Sequence, residues 1–153
     1  MILVAPLAGT VRDLAAVPDP VFAERLMGDG VAIEPLVAES LTAVAPCDGV
    51  VVKLFPGGHA IVIDGGSGPI LVHLGIDTVE LHGEGLHALV REGSRVGAGT
   101  PLVEIQAAAL RARGVNLISP IVGIERQVAR LIAPIGDTVT SGAPLFEILP
   151  PSS

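Results

Sequence analysis

One thirteen-residue stretch of this chain occurs twice. Gly93, Val96, Gly99, Pro101, Leu102, Glu104 and Ile105 reappear as Gly136, Val139, Gly142, Pro144, Leu145, Glu147 and Ile148, 43 positions later and without a gap. An element that short cannot bury its own apolar face, so repeated copies must stack on other parts of the same chain. A second series, Ala5 to Gly9, Ala45 to Gly49 and Ser119 to Gly123, shares a proline in second place and a glycine in fifth. Its spacing is too uneven for a long solenoid. Nineteen glycines and thirteen prolines in 153 residues favour many short strands over long helices. The expectation is an all-β fold: an antiparallel β-sandwich or barrel with pseudo-repeated halves and a few short helical turns. Residues 1–150 are expected to form one domain and 151–153 a frayed tail.

Half of the residues are hydrophobic, enough for a sizeable core, and the apolar content is aliphatic, with Phe22, Phe55 and Phe146 the only aromatic residues besides histidine. The formal net charge of −7 argues against nucleic acid, whose phosphates select Lys and Arg. Cys47 is alone, so no internal disulfide framework points to secretion. The N-terminal Met1–Leu7 lacks a charged leader region, and no apolar run approaches the roughly 20 residues that span a bilayer. The expected location is cytoplasmic, not membrane-embedded.

Taken in order, residues 2–17 read as two short strands around a turn at Ala8-Gly9. Asp19 is placed to cap a helical turn with Pro20 at its first position, running through Phe22 and Leu26 to Gly28. Strands are expected at 31–35, 41–45, 49–55, 59–63, 70–74, 101–106, 115–118, 121–129 and 145–149. Short helices are expected at 84–91 and 107–113.

The chemistry concentrates in one hairpin. His59 heads the apolar run to Ile63, His73 ends the run from Ile70, and Asp64 to Pro69 between them is a strong turn signal. Antiparallel pairing brings both histidines to one end, and a register that sets residue 59 opposite 73 puts both rings on one face. A neutral imidazole is a nucleophile near neutral pH. Its other nitrogen must then hold the proton, which a backbone carbonyl near Gly75 is placed to accept. Phosphoryl transfer also needs donors for the phosphoryl oxygens. A neutral His59 is the expected donor, with the Gly57 and Gly58 amides as further ones. The alternative is a zinc set of His59, His73 and Asp77, against which stands the absence of any His-x-His or His-x-x-x-His pair. His82 and His87, in a polar glycine-rich segment, read as ordinary surface histidines.

The run from His73 through Gly75, Asp77, Leu81 and His82 to Gly85 resembles the phosphoacceptor signature of the glucose-type IIA domains of the bacterial phosphoenolpyruvate-dependent sugar phosphotransferase system. Ala5–Gly9, Pro18–Glu24, Gly28–Ile33, Ala45–Gly49 and His59-Ala60 match as well, so the resemblance runs from about Leu3 to Leu149. It implies a β-sandwich of the duplicated hybrid motif type. It also implies a phosphotransferase component that takes a phosphoryl group from HPr and passes it to a IIB domain for coupled sugar uptake, in relatives of glucose, N-acetylglucosamine and others. On this chain the phosphoacceptor falls on His73, its supporting histidine on His59, its carbonyl partner on Gly75 and its acid on Asp77. Val21, Phe22 and Phe55 fall on the docking surface. No cofactor is required, though zinc at His59 and His73, adventitious or partner-assisted, fits the pair. Two departures stand out. Gly57-Gly58 replaces a polar pair that in many relatives precedes the first histidine, and the hairpin loop is about one residue short, a difference a bulge can absorb.

Three rival readings compete with this one. A biotinyl or lipoyl carrier suits the repeats but needs a presented lysine, and the one lysine, Lys53, lies in an apolar strand. A zinc metallopeptidase of related architecture needs a His-x-His pair. A regulatory IIA-like protein would dock partners without transferring phosphate.

Overall fold

The computed structural model describes residues 1–150; the expected frayed tail at 151–153 lies outside the described residues. The first half of the chain forms β1 (Ile2–Val4), β2 (Gly9–Arg12), α1 (Pro20–Ala23), β3 (Gly28–Pro35), β4 (Leu41–Val44), β5 (Gly49–Leu54), β6 (Ala60–Asp64) and β7 (Pro69–His73). The second half forms β8 (Leu86–Ala88), β9 (Arg95–Val96), β10 (Pro101–Ile105), α2 (Ala107–Ala112), β11 (Ser119–Ile124), β12 (Val128–Leu131), β13 (Thr138–Val139) and β14 (Pro144–Ile148). Single 3-10 turns occupy Leu14–Ala16, Pro56–Gly58 and Thr78–Leu81.

Every ladder is antiparallel. One eight-stranded sheet runs β13-β2-β3-β11-β7-β6-β5-β9, and two three-stranded sheets run β1-β14-β12 and β4-β10-β8. The duplicated stretch accounts for this plan. Its first copy folds as β9 and β10, its second as β13 and β14. The shorter strand of each copy closes one edge of the large sheet, and the longer one is the middle strand of a small sheet. The hydrogen bonds repeat with the sequence. Ala5 N–H donates to Ala143 O at 2.8 Å and Ala45 N–H to Thr100 O at 2.9 Å, while Val4 N–H donates to Pro46 O and Val44 N–H to Pro6 O, each at 2.9 Å. Two of the three proline-glycine segments are thus crossovers that bond reciprocally. The third, Ser119–Gly123, is not a crossover but part of β11, near the middle of the large sheet.

Side chains alternate across the large sheet. Val31, Ile33, Ile61, Ile63, Ile70, Val72 and Ile121 face the main core with Leu3, Leu102, Leu145 and Phe146. Ala32, Ala60, Leu71 and Val122 face the other way, into a smaller core closed by Leu14, Val17 and Phe22. The cap read from sequence is present: Asp19 Oδ1 accepts from Val21 N–H at 3.0 Å, and α1 extends over one turn.

Three expectations differ. Residues 84–91 do not form a helix, because Leu86–Ala88 satisfies its backbone in the ladder with β10. Residues 115–118 are not a strand, since the Asn116 side chain accepts from Ile118 N–H at 3.0 Å and turns the chain there. The expected strand 121–129 is two, β11 and β12, split by a turn in which Glu125 adopts φ 56°. The three 3-10 turns, the first of them at Leu14–Ala16 within a stretch read as strand, and the two-residue strands β9 and β13 are additions. No helix among the described residues is long and apolar enough to cross a membrane.

Candidate functional site

β6 and β7 pair with Ala60 opposite His73 and Asp64 opposite Pro69, so residue 59 falls opposite 74 rather than 73. In a continued strand that would send the two rings to opposite faces. No bulge corrects it. His59 instead lies just beyond the strand, at φ −72° and ψ −19°, as the residue that ends the Pro56–Gly58 turn. That backbone swings its ring round, and the two imidazole centroids stand 5.6 Å apart, edge to face. The strands stay joined there, Leu74 N–H donating to His59 O at 2.7 Å.

His73 Nδ1 lies 2.6 Å from the Gly75 carbonyl oxygen. A carbonyl only accepts, so Nδ1 holds the proton and the neutral ring keeps its lone pair on Nε2. Gly75 reaches that position at φ 77°, where a Cβ would meet both the Asn116 carbonyl oxygen and Thr78 Cγ2 at 2.8 Å. His59 Nδ1 lies 2.9 Å from the Pro56 carbonyl oxygen, so it too is a donor. The polar pair that Gly57-Gly58 replaces is therefore not needed to orient His59, because the backbone does so. The same bond overturns the neutral-donor expectation: with Nδ1–H committed, neutral His59 offers only a lone pair at Nε2, and the ring donates there only as the imidazolium.

The surroundings favour a neutral His73. Burial pushes its imidazolium below the ordinary range; the Gly75 carbonyl opposes this, nearby His59 adds to it, and Asp19 and Asp77 weakly oppose it. Asp77 itself is exposed and left-handed, with φ 59° and ψ 19°, and lines a groove of about 480 Å³ with Glu80 and Arg113. Among the described residues, no three His, Cys, Asp or Glu side chains are gathered to hold a metal ion. Cys47 is buried, and desolvation raises its thiol to about 11, which leaves it unreactive.

Beside the histidines is an apolar hollow of about 370 Å³ lined by Val21, Phe22, Met27, Phe55, Val62 and His73, among others. The three docking residues read from sequence all reach it, in different ways. Val21 is 39% exposed and Phe22 only 4%, so Phe22 is floor rather than rim, its ring 5.2 Å from that of His73. Phe55 is half-buried against His59, with ring centroids 5.8 Å apart. Lys53 lies inside β5, its ammonium 3.9 Å from Glu92, not at a hairpin tip where a swinging-arm carrier presents one. The sequence reading missed Met27, the Pro56 carbonyl and Ser119. Backbone groups leave no residue signature, but Ser119 left one: it is the single hydroxyl where the other two proline-glycine segments have Ala5 and Ala45.

The family model described as phosphoenolpyruvate-dependent sugar phosphotransferase system, EIIA 1, matches residues 1–129. The chain belongs to this family. A glucose-specific EIIA component of Bacillus anthracis is 43% identical over 143 residues, covering 92% of this chain and 85% of that protein. An N-acetylglucosamine-specific EIICBA component of Escherichia coli is 40% identical over 149 residues, 95% of this chain and 22% of that longer protein. The glucose permease IIA of Mycoplasma capricolum superposes with a TM-score of 0.84 at 35% identity, covering 97% of this chain and 94% of that one. As a IIA component of the sugar phosphotransferase system, the protein is a phosphocarrier, a transferase component that works through a phosphohistidine. Its antiparallel sandwich with few helical turns is the IIA fold.

Proposed function

We propose that His73 is the residue that carries the phosphoryl group, at Nε2, taking it from phosphorylated HPr and handing it to a IIB domain in the cytoplasm. The observation that supports this reading above all is the 2.6 Å hydrogen bond from His73 Nδ1–H to the Gly75 carbonyl. It leaves the Nε2 lone pair free for in-line attack on phosphorus. The bond from phosphorus to the donor nitrogen breaks as the bond to Nε2 forms, and the donor ring keeps the electron pair. His73 retains its Nδ1 proton throughout, and Gly75 O stabilises the charge that the ring gains. The second transfer is the same exchange with His73 as leaving group.

His59 supports transfer in this reading. Its imidazolium donates from Nε2 to a phosphoryl oxygen while Pro56 O holds Nδ1–H. A charge-assisted bond of this kind is stronger than a neutral one, and it counts most where charge is redistributed in transit. The apolar hollow receives HPr and the IIB domain in turn, with Val21 and Phe55 on its rim and Asp19 and Asp77 near enough to act on the charge of His73. The carrier serves coupled sugar uptake, and in this reading the transfer requires no cofactor.

Incubation with phosphoenolpyruvate, Enzyme I and HPr should give one acid-labile, alkali-stable phosphate per chain, located on His73 by mass spectrometry. Phosphate on any other residue would refute the assignment.

A further inference from the structure

We propose that Ser119 is a positioning residue for phosphoryl transfer: its buried hydroxyl ties down the Gly75 turn, whose carbonyl keeps the attacking lone pair on His73 Nε2. The inference rests on the reading of His73 as the phosphoryl carrier.

Gly75 belongs to two peptide groups, and residues 116–119, which lead into and begin β11, hold both. Its own N–H donates to Ser119 Oγ at 3.2 Å. The next amide, Ile76 N–H, donates to Asn116 O at 2.9 Å. That second peptide group is the one whose carbonyl accepts from His73, so it is fixed at its nitrogen by Asn116 and at its oxygen by the ring. Ser119 fixes the peptide before it. Thr78 Oγ1–H closes the turn from the other side, donating to Leu74 O at 2.7 Å.

The serine is costly unless it has this task. It is 1% exposed, and a buried hydroxyl without partners destabilises a fold. Here the hydroxyl donates to Leu117 O at 2.8 Å while accepting from Gly75, so both its capacities are used. The other two proline-glycine segments carry alanine at this position, Ala5 and Ala45, both fully buried. The backbone pattern therefore does not itself call for a hydroxyl. The copy that departs from alanine is the one that lies beside Gly75.

Without Oγ, the buried Gly75 N–H has lost its acceptor, which favours a rotated peptide over the present one. Rotation of the turn moves the Gly75 carbonyl off His73 Nδ1. The ring proton then divides between the two nitrogens, and each molecule with Nε2–H has no lone pair to attack with. Geometry this close to the reacting atoms also governs rate directly. One net hydrogen bond corresponds to a few-fold to about tenfold effect.

The test uses the full chain with Ser119→Ala and Ser119→Cys, the latter matching serine in size with a much weaker acceptor. Long-range ¹H–¹⁵N correlation at neutral pH reads the His73 tautomer before any phosphate is added. The expected result is Nδ1–H in the wild type and a growing share of Nε2–H in both variants. Single-turnover phosphorylation by HPr should slow by a few-fold to about tenfold in step with that share. A wild-type ring protonated on Nε2 would overturn the proposal. So would a folded variant with the wild-type tautomer, whether its rate is unchanged or its rate and melting temperature both fall, since the serine would then serve stability alone. If Ser119→Ala does not fold, Ser119→Cys decides. The tautomer is measured without phosphate, so a mistaken carrier assignment would show separately, as label on another residue beside an intact tautomer shift.

Discussion

His59 and His73 are one residue out of register across the β6–β7 hairpin, yet their rings stand 5.6 Å apart on the same side. The offset is absorbed by the turn that ends at His59, where Gly57 takes φ 78°. Gly57 also lies against Gly83: a Cβ there would come within 2.5 Å of Gly83 Cα. Two glycines thus let the turn close, and the turn aims His59.

Gly57→Ala should accordingly disturb both fold and site. A non-glycine residue in left-handed backbone costs about 1–2 kcal/mol, and the backbone contact adds to it. Urea unfolding should show a loss on the order of 2 kcal/mol. Phosphoryl transfer to IIB should fall more than acceptance from HPr. Wild-type stability together with wild-type transfer would mean the turn is not the device that aims His59.

His73→Ala should abolish labelling, because no other nucleophile replaces its Nε2. His59→Ala should still accept phosphate, with transfer to IIB reduced on the order of 10²–10³, the usual cost of one lost donor to developing charge. Single-turnover transfer from phosphorylated protein checks this. If His59→Ala stays within a factor of about three of wild type, well short of the loss expected for such a donor, His59 is a bystander.

Acid should destabilise the protein through His73. Burial, its largest influence, places the folded pKa of this ring below its ordinary value, while the unfolded ring titrates near about 6.5. Between those two values the unfolded chain binds more protons. The contribution is therefore complete above about pH 6.5 and is lost as pH falls through the folded value. Urea midpoints of wild type and His73→Gln, measured from pH 7.5 down to about 5, should diverge, with wild type falling faster. Parallel curves would show that the ring does not resist protonation.

The hollow separates rim from floor. Phe22 is 4% exposed within the smaller core, so Phe22→Asp should cost on the order of 3–5 kcal/mol and lower the melting temperature. Val21 is 39% exposed, so Val21→Asp should leave the melting temperature within a degree or two (its surface position predicts an effect of about 0.5 kcal/mol or less) and slow transfer from HPr. A Val21→Asp protein that accepts phosphate at the wild-type rate would place the docking surface elsewhere.

Local chemistry alone determined a good deal of this protein. The duplicated stretch carried the strands expected at 101–106 and 145–149, which fold as β10 and β14. Asp19 before Pro20 capped the turn where it was expected, and the 64–69 signal closed a hairpin in which Gly66 N–H donates to Asp64 Oδ1 at 2.7 Å. The block from His73 to Gly85 carried the resemblance to a phosphohistidine family. These features depend on neighbours a few residues apart, so a linear reading reaches them. Tertiary structure decided the rest. Register is chosen by which face each strand can bury, and here it set Ala60, not His59, opposite His73. Phe22 became floor because α1 packs over the smaller core. The atoms that hold the two rings are the carbonyls of Gly75 and Pro56, and backbone groups are the same in every residue. The hydroxyl that steadies Gly75 comes from 44 positions away, a distance over which only the packed sheet, and no local rule of sequence, brings two groups within hydrogen-bonding reach.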